Sequence, residues 1–102
     1  MDVPALLTEK LTLFGLNAQE RSDFLAFWVP RLSQAPYYFI TFIPRNEIDR
    51  VAPLAVTPRP DTIIRVLMDY KPLNAPISVK PLEITPAARQ GFTVVEWGGI
   101  VH

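Results

Sequence analysis

Glu96, Asp61, Asp69 and Arg65 are the side chains of this sequence best suited by type to carry chemistry. Glu96 stands between Val95 and Trp97, and a carboxyl group among apolar neighbours is a candidate general acid. Joined by Asp61 or Asp69, it would supply the two carboxylates of a carboxylate-based hydrolase. Nothing in the linear spacing brings either aspartate to it, and 102 residues leave little loop for a deep cleft. The plainer reading is a cross-strand ion pair of Glu96 with Arg65 or Lys71. Arg65 is the lone cation in the apolar stretch from Ile63 to Met68. Its guanidinium could clamp a small anionic ligand, or it could reach the surface or pair with a neighbouring acid. Asp69 shares its strand face but lies roughly 13 Å further along.

Other reactive groups are scarce. The sequence has no cysteine, and its one histidine, His102, is the last residue. Thiol chemistry and an internal imidazole base are therefore excluded, and no metal or cofactor is expected. Gly98-Gly99 could form an anion nest, but Ile100, Val101 and His102 follow instead of the lysine and hydroxyl residue of a phosphate loop. A tight turn is the simpler reading. Tyr37 and Tyr38 point to opposite faces of a strand, so at least one is expected outside. With Trp97 they form a candidate surface for protein, with carbohydrate also compatible. Trp28 reads as core, because it belongs to a helical stripe.

Elements that would position these groups follow from periodicity and punctuation. Leu7, Leu11 and Phe14 recur at helical spacing and predict a helix over about 4–14, closed by Gly15. Asn17 and Glu20 have capping-box spacing, with Leu16 placed for a hydrophobic staple. The second helix is expected over about 18–34 with Phe24, Trp28 and Leu32 inward and a kink at Pro30. Strands are expected at about 37–43, 62–70, 77–80 and 92–97. Pro53–Pro58 reads as a short strand or an extended piece, and Arg45–Val51 as a polar helical turn. The sum is an α+β domain, with two N-terminal helices packed on a mostly antiparallel sheet of four to five strands. Strand order and oligomeric state do not follow from it.

Composition bounds the function. Hydrophobic residues make 49 % of the chain and charged ones 20 %, the balance of a folded domain. Ten basic residues offset ten acidic ones, with no basic stripe, so nucleic-acid binding is not expected. No apolar run is long enough to span a membrane, and Met-Asp-Val-Pro lacks the basic start of a targeting signal.

The segments Gly15–Phe24, Phe27–Leu32, Pro58–Asp61, Tyr70–Leu73 and Gly91-Phe-Thr-Val-Val-Glu-Trp-Gly-Gly99 together span most of the chain. In this wording it resembles the C-terminal module of an uncharacterised bacterial protein family, often exported or surface-associated. The resemblance implies that the chain is the C-terminal part of a longer protein, or a shortened relative of one, and that this protein is exported or belongs to the cell envelope. It carries no catalytic residue with it. The expected function is a non-catalytic structural or protein-binding domain that docks on a protein or adjacent domain. The hydrolase reading of Glu96 and the anion-binding reading of Arg65 stand as alternatives. The candidate binding residues are Tyr37, Tyr38, Arg65, Glu96 and Trp97.

Overall fold

A computed structural model describes residues 3–78, 84–86 and 88–101. The chain runs α1 (Val3–Phe14), α2 (Ala18–Trp28), a 3-10 turn (Arg31–Ser33), β1 (Tyr37–Phe42), α3 (Arg45–Val51), β2 (Thr62–Leu73) and β3 (Thr93–Val101).

Local chemistry sets the helix ends. Gly15 takes φ 99°, a backbone geometry that glycine adopts without Cβ strain. The Gly15 N–H donates to the Thr12 carbonyl and the Leu16 N–H to the Leu11 carbonyl, a Schellman closure of α1. Two residues later the capping box forms. The Glu20 N–H donates to Asn17 Oδ1 at 2.9 Å, and the Asn17 N–H to Glu20 Oε1 at 2.8 Å. The expected staple does not form as an apolar pair, because its helical position holds Arg21, which donates to the Leu16 carbonyl at 2.7 Å. The second helix is also shorter than 18–34. Its last regular bond runs from the Val29 N–H to the Leu25 carbonyl. Pro30 then has no N–H to donate, and the chain tightens into the 3-10 turn instead of continuing through a kink.

The expected sheet is corrected by the topology. Among the described residues it has three strands in the order β1-β2-β3 and is partly parallel. β1 runs antiparallel to β2, whereas β3 runs parallel to it, with Arg65 opposite Glu96. Three α-helices form among the described residues, not two, because Arg45–Val51 folds as α3 and buries Ile48. Pro53–Pro58 contributes no strand. Of the 77–80 strand, Ile77 and Ser78 lie outside regular structure, and Val79 and Lys80 lie outside the described residues. A parallel pair needs a long crossover. Positions 74–92 separate the two strands in sequence, and short strand runs punctuated by prolines read there as hairpins.

The core lies between α1, α2 and one sheet face. Leu7, Leu11 and Phe24 meet Ile64, Val66 and Met68 there. Both strand periodicity and the register put Tyr38, Phe42, Tyr70, Val95, Trp97 and Gly99 on this face as well. Arg65, Leu67, Asp69, Glu96, Gly98 and Ile100 occupy the other face, with α3 over its lower end. Ile48 is buried but lies outside the main core cluster.

Candidate functional site

Among the described residues Arg65 is the buried charge, with 6 % of its surface exposed. On the face of β2 that carries Arg65, α3 packs against the strand, so the cation must find partners within the chain. Arg65 Nε donates to Glu96 Oε1 at 3.0 Å from β3, and Nη1 donates to Asp49 Oδ1 at 3.1 Å from α3. Asp49 also accepts from Arg45 Nε at 2.9 Å. Arg45 in turn donates through Nη1 to the Ile63 carbonyl at 2.6 Å. The chain of contacts fastens α3 to β2 and β3.

Electrostatics follow the same contacts. Its hydrogen bond to Glu96, joined by that to Asp49, holds the Arg65 guanidinium above its ordinary pKa against the effect of burial. Arg45, then Arg65, hold the Asp49 carboxyl below its ordinary value. Glu96 is therefore in the Arg65 pair that was one of its two plainer alternatives. An incoming anion would compete with two carboxylates for Arg65.

The aspartates stand elsewhere. Asp61 Oδ2 accepts from the Phe92 N–H at 2.8 Å and locks the turn that starts β3. Gly91 has φ 59°, and a Cβ there would collide with the Asp61 carboxylate. Asp61, one residue before β2, and Asp69 within it each lie four residues from Arg65, roughly 13 Å from the level of Glu96 at strand rise. Paired glycosidase carboxyls stand roughly 5–9.5 Å apart. Among the described residues no group of three histidine, cysteine or acidic side chains could hold a metal ion.

The two tyrosines separate as alternation requires. Tyr38 is buried in the core face and donates through its hydroxyl to the Arg31 carbonyl at 3.1 Å. Tyr37 is half-buried on the Arg65 face. Trp97 is half-buried against α2, with Phe24 edge-on at 5.1 Å. Trp28 is core, as its stripe implies, and its indole Nε1 is buried without a hydrogen-bond partner among the described residues.

The feature that sequence reasoning missed is the free edge of β3. Among the described residues β2 is its only strand neighbour. The Thr62 N–H bonds to the Phe92 carbonyl. In the parallel ladder this directs the backbone groups of Val94, Glu96, Gly98 and Ile100 toward β2. Those of Thr93, Val95, Trp97, Gly99 and Val101 point away. Beside this edge Phe27 of α2 is 42 % exposed, although it lies 5.7 Å from Trp97 and carries the Arg31 guanidinium 3.8 Å over its ring. Ile100 and Val101 are 40 % and 64 % exposed. The missing signal was strand order: an apolar run reads alike at the centre and at the edge of a sheet.

No protein-family model matches this chain, and no curated protein or solved structure matches it. The resemblance of its C-terminal motif to an exported bacterial module gains no support from these comparisons.

Proposed function

We propose that this domain is a non-catalytic, protein-binding module that receives an extended partner segment along the edge of β3. One observation carries the reading: β3 spans nine residues without a proline, and Glu96 is its only charged residue. Edge strands that must stay single are normally short, or are blunted by charges, prolines or bulges. Here the one charge is tied to Arg65. Strand addition would satisfy the outward backbone groups, and exposed Ile100 and Val101 would give the segment apolar contacts.

The test is site-specific photocrosslinking in a lysate of the source cells. One probe replaces Ile100, and a control probe replaces Thr8, which is exposed on α1. Protein adducts from position 100 and none from position 8 support edge binding. Adducts from neither position, or equally from both, would contradict it.

A further inference from the structure

We infer that the segment received by β3 is β3 of a second copy of this chain, paired antiparallel about a two-fold axis at Trp97. This inference rests on the edge reading above and names the partner.

An axis at Trp97 uses the whole strand, keeps the hydrogen-bonding phase and matches the side chains. The strand's length is centred on Trp97, because β3 runs from Thr93 to Val101. A two-fold at that residue sets Thr93 opposite Val101 of the second copy, and Val95 opposite Gly99, with no residue overhanging. The hydrogen-bonding phase is kept, as it is for any two-fold centred on a residue of the strand. In an antiparallel ladder the residues that exchange both backbone bonds must have outward N–H and C=O groups on both strands. Thr93, Val95, Trp97, Gly99 and Val101 are the outward set, and the axis at Trp97 pairs each member with another member. A shift by one residue in the pairing would set outward groups against inward ones.

Side chains match in the same register. Glu96 faces Gly98 of the second copy, so the single charge of the strand meets no like charge. Val94 faces Ile100, apolar against apolar. Gly98 has no need to be glycine within its own chain: a Cβ there would meet only Leu67 Cδ1, at an ordinary 3.8 Å. Beside the axis, the Phe27 and Trp97 rings of the two copies approach from the helix side, covering the ring that is now 42 % exposed. The product is a closed two-fold dimer with one continuous six-stranded sheet, in the order β1-β2-β3-β3-β2-β1.

The absence of cysteine from the sequence makes the test direct. Two variants, Val94→Cys and Ile100→Cys, are prepared separately and then mixed under mild oxidation. In the proposed register these positions form a non-hydrogen-bonded pair, whose Cα separation of roughly 4.5 Å lies within disulfide reach. Each alone is separated from its own counterpart by roughly 20 Å along the strands. The expected result is a disulfide-linked species of twice the 11.5 kDa chain mass from the mixture and little from either variant alone. Equal linkage from Val94→Cys alone would overturn the antiparallel register. No linkage in the mixture, with both variants folded by circular dichroism, would overturn self-pairing. The photocrosslinks from position 100 then separate the two levels: adducts to a different protein leave edge binding standing, and their absence removes both.

Discussion

The helix-facing side of β3 and its free edge belong to the same nine residues, yet they are built to opposite standards. On the helix side the middle of the strand is packed. Trp97 stands edge-on to Phe24, and a Cβ built on Gly99 would fall 2.5 Å from the Trp28 ring. Along the edge, five residues turn backbone donors and acceptors outward, flanked by exposed Ile100 and Val101. The opposite edge of the sheet sharpens the contrast. β1 has six residues and lies between Pro36 and Pro44, which leaves little ladder for another strand to extend. Substitutions on the packed side of β3 should therefore act on folding, and those on its edge should act on association.

The largest effect belongs to the packed side. Phe24 is fully buried and touches both tryptophans. Phe24→Ala is expected to cost about 3–5 kcal/mol in urea unfolding. A loss below about 1 kcal/mol would mean that α2 is not clamped on β3 as described. The adjacent glycines divide the comparison most finely. Gly99→Ala drives a methyl into Trp28 and should cost about 1–3 kcal/mol. Gly98→Ala, with only Leu67 nearby, should stay within about 0.5 kcal/mol in dilute solution. Equal effects would erase the distinction between the two sides of the strand.

A pH effect comes next, at the junction that ties the crossover to the helices. Arg89 donates to both Glu20 oxygens, at 2.6 and 3.1 Å, and to the Gly15 carbonyl at 3.2 Å. That hydrogen-bonded guanidinium, with the Asn17 N–H, holds the Glu20 carboxyl below its ordinary value against partial burial. A depressed carboxylate stabilises the fold above its unfolded pKa, and the contribution disappears as pH falls through the folded pKa. Thermal unfolding should thus lose stability from the ordinary carboxylate range downward, and Glu20→Gln should flatten that acid limb. A variant with an unchanged limb would assign the loss to other carboxylates, such as Asp49. The smallest effect on folding is expected from Ile100→Lys, which should shift stability by no more than about 0.5 kcal/mol while reducing association through the edge. Sedimentation velocity at several concentrations would show it.

Much of the local structure was legible because it depends on neighbours in sequence. Asn17 and Glu20 announced the capping box, Gly15 the end of α1, and Leu7 and Leu11 the buried stripe. The Arg65–Glu96 pair was visible as one of several partners for an arginine on an apolar strand. Its second acid was not, because Asp49 reaches Arg65 only once α3 folds across β2, and the Arg45–Asp49 spacing on a short polar segment was the available signal. The parallel direction of β3 was hidden for a different reason. The segment at 74–92 has prolines and no helical periodicity, so nothing in it distinguishes a crossover from a pair of turns. Strand order is a non-local property, and with it went the knowledge that Val95, Trp97 and Gly99 lie along an edge. The two tyrosines show the same limit: alternation divided Tyr37 from Tyr38, but only the helix layer decides which of them is buried.

The account turns on whether the outward amides of β3 acquire a partner strand. Amide exchange followed by nuclear magnetic resonance at rising protein concentration measures this residue by residue. Val94, Glu96 and Gly98 should be protected at every concentration, because their N–H groups already bond to β2. Val95, Trp97 and Gly99 should exchange quickly in dilute solution and slow together as concentration rises. If those three stayed fast at all concentrations, pairing of β3 with a second copy would be contradicted.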